Sequence, residues 1–188
     1  MSRWSSWMLA GVLLALSACN SGDPRCTKLP GGGGYCLQAT SALPSFDVQQ
    51  KVETLFNGRN ETLIVELEVD QDGMRFVGLT PFGQKMLQMS YDNRVVSAQV
   101  LPHARIDPVL MLAMLQLALW PVESVQAGLD EGLVMGEQGR QRELLMNGKR
   151  VMAVSYTGDR VPYEDMHIEF PSAGLELDIK TLDSSLTK

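Results

Sequence analysis

Apolar and polar residues alternate with a period of two through most of this chain, and the alternation is cut into short runs by turn signals. In Glu61–Asp70, Leu63, Val65, Leu67 and Val69 alternate with Glu66 and Glu68. In the closing run, Leu175, Leu177, Ile179 and Thr181 alternate with Glu176, Asp178 and Lys180. A period of two puts one face in water and the other against a core, which predicts half-buried strands. Asn57-Gly58 and Asn147-Gly148 are hairpin signals, and Asp72-Gly73, Thr80-Pro81-Phe82-Gly83 and Asp92-Asn93 mark further tight turns. The strands predicted before the middle of the chain are 48–56, 61–70, 74–80, 84–91 and 95–100. After it come 133–137, 140–146, 150–157, 166–170 and 175–182.

The period changes between the two sets. Asp107 is a good N-cap and Pro108 suits the first helical position, where its missing N–H is not needed. The twelve residues from Val109 to Trp120 then hold one polar side chain, Gln116, before Pro121 stops the helix. A surface helix carries a polar face, so this one has to be covered on most sides or to cover something apolar itself. A shorter helix is predicted over 122–129. Local connections throughout predict an antiparallel meander, and the helix without a wet face predicts a lid. The expected fold is mainly β with α, a curved antiparallel half-barrel of about 9–11 strands with the helix on its concave face. Full closure into a barrel fits the same pattern, and the sequence leaves the two open.

The alternation also nominates a lining. Leu63, Val65, Leu67, Phe76, Leu87, Met89, Leu144, Met146, Leu177 and Ile179 are the inward series, with Met111, Met114 and Leu115 on the lid. Such a wall holds hydrocarbon without directional chemistry, at roughly 25 cal/mol per Å² removed from water, and methionines adapt to irregular guests. The same residues also serve as a solid core.

Composition narrows the setting. The formal charge of −6 over 188 residues argues against nucleic acid and against broad electrostatic docking on anionic lipid. Cys26 and Cys36 flank a short loop with the tetraglycine Gly31–Gly34, flexible enough for a disulfide. A metal site would need ligands that His103 and His167 do not supply by spacing. Ser155, Asp165 and His167 form no recognisable nucleophile motif, and both histidines read as structural, so no catalytic residue and no metal is expected.

The start of the chain carries an address. Arg3 precedes the apolar run Met8–Leu16, about half of the roughly 20 residues that span a bilayer, and Leu16-Ser17-Ala18-Cys19 follows. This resembles the lipobox of bacterial lipoprotein precursors, which implies a signal peptide over 1–18 and a mature chain beginning at Cys19. Cys19 would then bear diacylglycerol and an N-acyl chain such as palmitate, with no other cofactor. Asn20 in place of aspartate implies, by the same resemblance, sorting to the periplasm-facing side of an outer membrane. Residues 19–44, Gly-rich and without apolar period, read as a lipidated tether knotted by the disulfide loop, and 45–188 as one domain.

The order of elements, the lipobox and Gly78-Leu79-Thr80-Pro81-Phe82-Gly83-Gln84-Lys85-Met86-Leu87 together resemble the LolA/LolB family of periplasmic lipoprotein carriers and receptors. That family folds as an incomplete barrel with a helical lid over an apolar cavity. The resemblance implies that Pro81, Phe82 and Gly83 form a loop that passes lipid-modified cargo to a membrane. The closing run Gly174–Leu182 resembles a group of LolB-like lipoproteins often encoded beside aryl-polyene or fatty-acid-type synthesis genes. Thr80 and Phe82 stand where the family has asparagine and leucine, and the Cys26/Cys36 loop is not part of its pattern. What is implied is a non-enzymatic, monomeric lipoprotein. It would take lipidic or lipoprotein cargo, with a periplasmic carrier protein as a partner. The alternative is a structural or assembly lipoprotein with a solid interior that binds a protein partner.

Overall fold

A computed structural model describes residues 22–100, 107–159 and 161–186. The lipobox, Cys19, Asn20 and His103 lie outside the described residues.

Chain order is β1 (Cys26–Lys28), β2 (Gly34–Cys36), β3 (Phe46–Phe56), β4 (Arg59–Val69), β5 (Met74–Leu79), β6 (Lys85–Tyr91) and β7 (Val96–Val100). Then come α1 (Pro108–Leu119), α2 (Val122–Gly128), β8 (Leu133–Gln138), β9 (Gln141–Met146), β10 (Lys149–Thr157), β11 (Asp165–Phe170) and β12 (Leu175–Leu186). β1 and β2 make a small ladder of their own. The other ten strands form one antiparallel sheet in the order β7-β6-β5-β4-β3-β12-β11-β10-β9-β8. Two five-stranded meanders, β3–β7 and β8–β12, are thus joined where β12 pairs along the whole of β3, from Leu175↔Phe56 to Leu186↔Phe46. β7 and β8 end the sheet and do not pair with each other, so it is a large, curved, open sheet rather than a closed barrel.

The turns follow the side chains placed at them. Asn57-Gly58 and Asn147-Gly148 all have positive φ, the geometry a two-residue hairpin needs to match strand twist. One exposed edge is capped by a side chain. The Gln126 amide on α2 donates to the Leu133 carbonyl (3.0 Å) and accepts from Met135 N–H (3.0 Å), standing in for the next strand along β8.

α1 begins as its sequence requires, with the Asp107 carboxylate accepting from Val109 and Leu110 N–H (3.0 and 3.2 Å). Its missing polar face has a structural answer. One side of the helix meets the sheet, and the other is overlaid by the segment from β1 to Leu43. This corrects the expected tether. Leu29, Tyr35, Leu37 and Leu43 are buried in the core, and hydrogen bonds fasten the segment along α1. Gln116 Oε1 accepts from Tyr35 OH (3.0 Å) and Gln38 N–H (2.7 Å), Gln116 Nε2 donates to the Gln38 carbonyl (2.9 Å), and Trp120 Nε1 donates to the Ala39 carbonyl (2.9 Å). The folded body therefore takes in residues from about Cys26, ahead of the expected boundary at 44/45. Its apolar residues are irregularly spaced among glycines, so no period betrays them. The Cys26–Cys36 disulfide closes this strap. Gly128 is fitted against it, since a Cβ there would clash with the Cys36 carbonyl oxygen.

Candidate functional site

The two ends of α1 sit in different chemistry. At the C-terminal end the Arg142 guanidinium, 3 % exposed, donates to the carbonyls of Leu117 (3.0 Å), Ala118 (3.2 Å) and Trp120 (2.7 Å). It is paired with Glu137 directly across the β8–β9 ladder. Tyr156 OH adds a bond to the Ala118 carbonyl (2.6 Å). The last carbonyls of a helix lack partners and carry partial negative charge, so a buried cation with several donors is the strongest cap available. Burial pushes the Tyr156 hydroxyl well above the usual phenol range, which keeps it a donor.

The other half of α1 roofs a cavity. A void of about 90 Å³ lies under Met111, Met114 and Leu115, enclosed by Gln50, Val52 and Thr54 of β3, Leu63 and Val65 of β4, Phe76 of β5, Ile168 of β11, and Leu177 and Ile179 of β12. It sits over the seam between the two meanders. Eight of the thirteen residues proposed from the sequence as lining are here: Leu63, Val65, Phe76, Met111, Met114, Leu115, Leu177 and Ile179. Leu67, Leu87, Met89 and Leu144 are buried in the continuous core and Met146 packs against it, none of them on the void. Inward parity identifies the concave face, but it does not say how far along that face the packing stays open. Trp120, which caps the end of α1 before Pro121, is fully buried core.

Register orients the void along the sheet. Along β3 the inner face runs Gln50, Val52, Thr54, Phe56, with Gln50 opposite Val65, Thr54 opposite Glu61 and Phe56 at the hairpin tip. Phe56 is 48 % exposed and lies on the same face at the rim of the sheet. The β5–β6 turn is at the same end. There Thr80 and Gln84 are joined by a backbone bond, Gln84 N–H also donates to Thr80 Oγ1 (3.1 Å), and Gly83 takes φ +82, so Pro81, Phe82 and Gly83 stand clear of the sheet. Phe82 is 97 % exposed.

The residues weighed as a catalytic set do not assemble. Ser155 and His167 are in register on adjacent strands. Yet the two ring nitrogens of His167 face Asp178 (2.7 Å) and Glu169 (3.1 Å), while the Asp165 carboxylate accepts from the Thr157 hydroxyl (3.2 Å). Partial burial lowers the His167 pKa, but the hydrogen bonds to Asp178 and Glu169 outweigh it and leave the group above its ordinary value. Among the described residues no cluster of His, Cys, Asp or Glu is arranged to hold a metal ion, and no helix is long and apolar enough to cross a membrane.

Sequence reasoning missed Gln50, Val52, Thr54 and Ile168 of the lining, and Arg142. The available signal was a polar residue at inward parity between apolar neighbours, as on β3, where Val48, Gln50 and Val52 share a face.

The family model described as "Protein of unknown function (DUF3261)" matches residues 47–183, from the start of β3 into β12. The chain belongs to that family. Its matched span holds the sheet, both helices and the cavity, and leaves the disulfide strap outside. No curated protein matches the sequence. Similar solved structures include a LolA superfamily protein from Nitrosomonas europaea, at 8 % identity and TM-score 0.45 over 81 % of this chain and 95 % of that one. A domain from Vibrio parahaemolyticus described as an outer membrane lipoprotein-sorting protein has 6 % identity and TM-score 0.40, over 77 % and 86 %. A DUF1329 family protein from Desulfovibrio piger has 10 % identity and TM-score 0.32, over 78 % and 87 %.

Proposed function

We propose that this chain is an outer-membrane lipoprotein, anchored through Cys19 and facing the periplasm, that receives a lipidic cargo and passes it on. The cargo is a lipid-modified protein or a polyene-type lipid delivered by a periplasmic carrier, and the chain acts as a monomer without catalysis. One observation carries this reading: the apolar void under Met111, Met114 and Leu115, on the sheet face that ends at the exposed Phe56, with the exposed Phe82 at the same end of the sheet. The LolB-like turn at Pro81-Phe82-Gly83 supports the same reading, with Phe82 as the residue that meets the membrane or the departing cargo.

The volume sets the mechanism. An apolar cavity of roughly 150 Å³ takes one benzene, so about 90 Å³ takes only a few carbons. A full acyl chain requires the Met111–Leu115 half of α1 to lift, while Arg142 and Tyr156 keep the other half seated. Each methylene that enters contributes about 0.8 kcal/mol, enough for a chain of ordinary length to offset the opening.

Titration of the leaderless mature chain with a fluorescent fatty acid tests this. Saturable one-to-one binding is expected, weakened at least about tenfold in Leu115→Trp, which fills the void, and an absence of binding contradicts it. The small volume also favours a second reading, a structural lipoprotein with one packing defect. A stoichiometric protein partner recovered from detergent-solubilised envelope, and unaffected by Phe82→Glu, would support that reading instead.

A further inference from the structure

The end of the void farthest from the β3–β4 hairpin tip holds a glutamine whose orientation the hydrogen bonds determine. Gln50 is 3 % exposed and lies among Val52, Val65, Phe76, Ile168 and Ile179. Its neighbour across the ladder is Thr181, whose hydroxyl donates to the Tyr163 carbonyl at 2.7 Å. That hydroxyl has spent its one proton, so toward Gln50 it acts as acceptor, and Gln50 Nε2 donates to it at 3.1 Å. The amide is therefore fixed with nitrogen to Thr181. Its Oε1 and second N–H make no hydrogen bond among the described residues. No fully sealed side-chain polar atom among those residues is left without a partner, so Oε1 keeps a little accessible surface.

An unpaired amide in an apolar pocket costs about 1–3 kcal/mol. A trapped water would find only these two groups, the fewest polar partners that hold a buried water. The other polar side chain of the lining, Thr54, is four residues along the strand, about 13 Å away. A hydroxyl on a guest answers both groups together, donating to Oε1 and accepting from N–H. Gln50 lies six residues inward of Phe56, about 20 Å from the rim, so it meets whatever end of a chain enters first.

We infer that Gln50 is a specificity-determining residue, which selects hydrophobic cargo whose leading end bears a hydroxyl over cargo with a plain alkyl end. This rests on the carrier reading and names the class of guest that reading left open.

The test compares hexadecanoate with its ω-hydroxy derivative on the leaderless mature chain, by calorimetry. Wild type is expected to favour the hydroxylated chain roughly tenfold, the worth of one buried hydrogen-bonded group. Gln50→Leu is expected to lose that preference while still binding hexadecanoate, which also shows that the variant is folded. Thr181→Val, which keeps Gln50 but removes its orienting partner, is expected to lower the preference severalfold. Equal binding of the two chains by wild type, or a preference that survives Gln50→Leu, overturns the assignment and leaves the carrier reading intact. Binding of neither chain overturns both.

Discussion

The two ends of α1 share one apolar sequence and are held by opposite means. Toward its C-terminus the helix is tied by directional bonds from Arg142, Tyr156, Gln116 and Trp120, and Leu117, Ala118 and Leu119 are buried. Toward its N-terminus Leu112 and Ala113 are buried too, but beyond the Asp107 cap and the bond that Asp107 accepts from Thr27 Oγ1 (3.2 Å), Met111, Met114 and Leu115 rest on dispersion contacts across an incompletely filled space. Directional bonds fail abruptly when stretched, whereas apolar contacts with a void beneath them are exchanged for a guest at little cost. A lid needs one end of each kind.

The sharpest way to break the comparison is to untie the secured end. Arg142→Met takes the side-chain donor from the Leu117 and Trp120 carbonyls, leaves Ala118 with Tyr156 alone, and leaves Glu137 without its partner. It is expected to cost about 3–5 kcal/mol in urea denaturation, and a loss below about 1 kcal/mol would mean the end is not secured there. Next in size is a matched pair on the helix itself. Leu117→Ala, in solid core, is expected to lose about 3 kcal/mol, while Met114→Ala, over the void and partly exposed, loses about 1. Equal losses would erase the distinction between the two ends.

Removing the strap's closure should lower stability by a further, smaller step. Cys26→Ser with Cys36→Ser is expected to cost about 2–3 kcal/mol by chain entropy, and to raise the rate at which a fluorescent fatty acid enters, measured by stopped flow. The smallest effect lies away from the helix. His167 gains its carboxylate partners in the folded state, so its pKa is raised on folding. The stabilisation it gives is complete below its ordinary value near 6.5 and fades as pH rises through the higher folded value. The group is largely solvent-screened, so the contribution is under about 1 kcal/mol. His167→Gln should remove that step from a plot of melting temperature against pH and leave fatty-acid binding unchanged.

Much of the fold was legible because the information is local. Asn-Gly pairs fix hairpins, Asp107-Pro108 fixes a helix start, and the alternation in β4 and β12 fixes which face is inward. What joins the two meanders is not local. β3 breaks the alternation with Gln50 and Thr54 on its inner face, so its role as the seam, and the void beside it, showed only as polar residues at inward parity. The cover over α1 was hidden for a related reason. Tyr35, Leu37 and Leu43 sit among glycines and prolines, and their burial depends on Gln116 and Trp120, far along the chain. Arg142 reads as an ordinary charged strand residue until the helix carbonyls are brought to it.

A fatty acid carrying a diazirine near its tail, photolysed on the protein and mapped by mass spectrometry, tests the lid most directly. Adducts are expected at Met111, Met114, Leu115, Leu63 and Leu177, and none at Leu117 to Trp120. Adducts confined to the outside of the rim, at Phe56 and Phe82, would contradict a lid that opens over the seam.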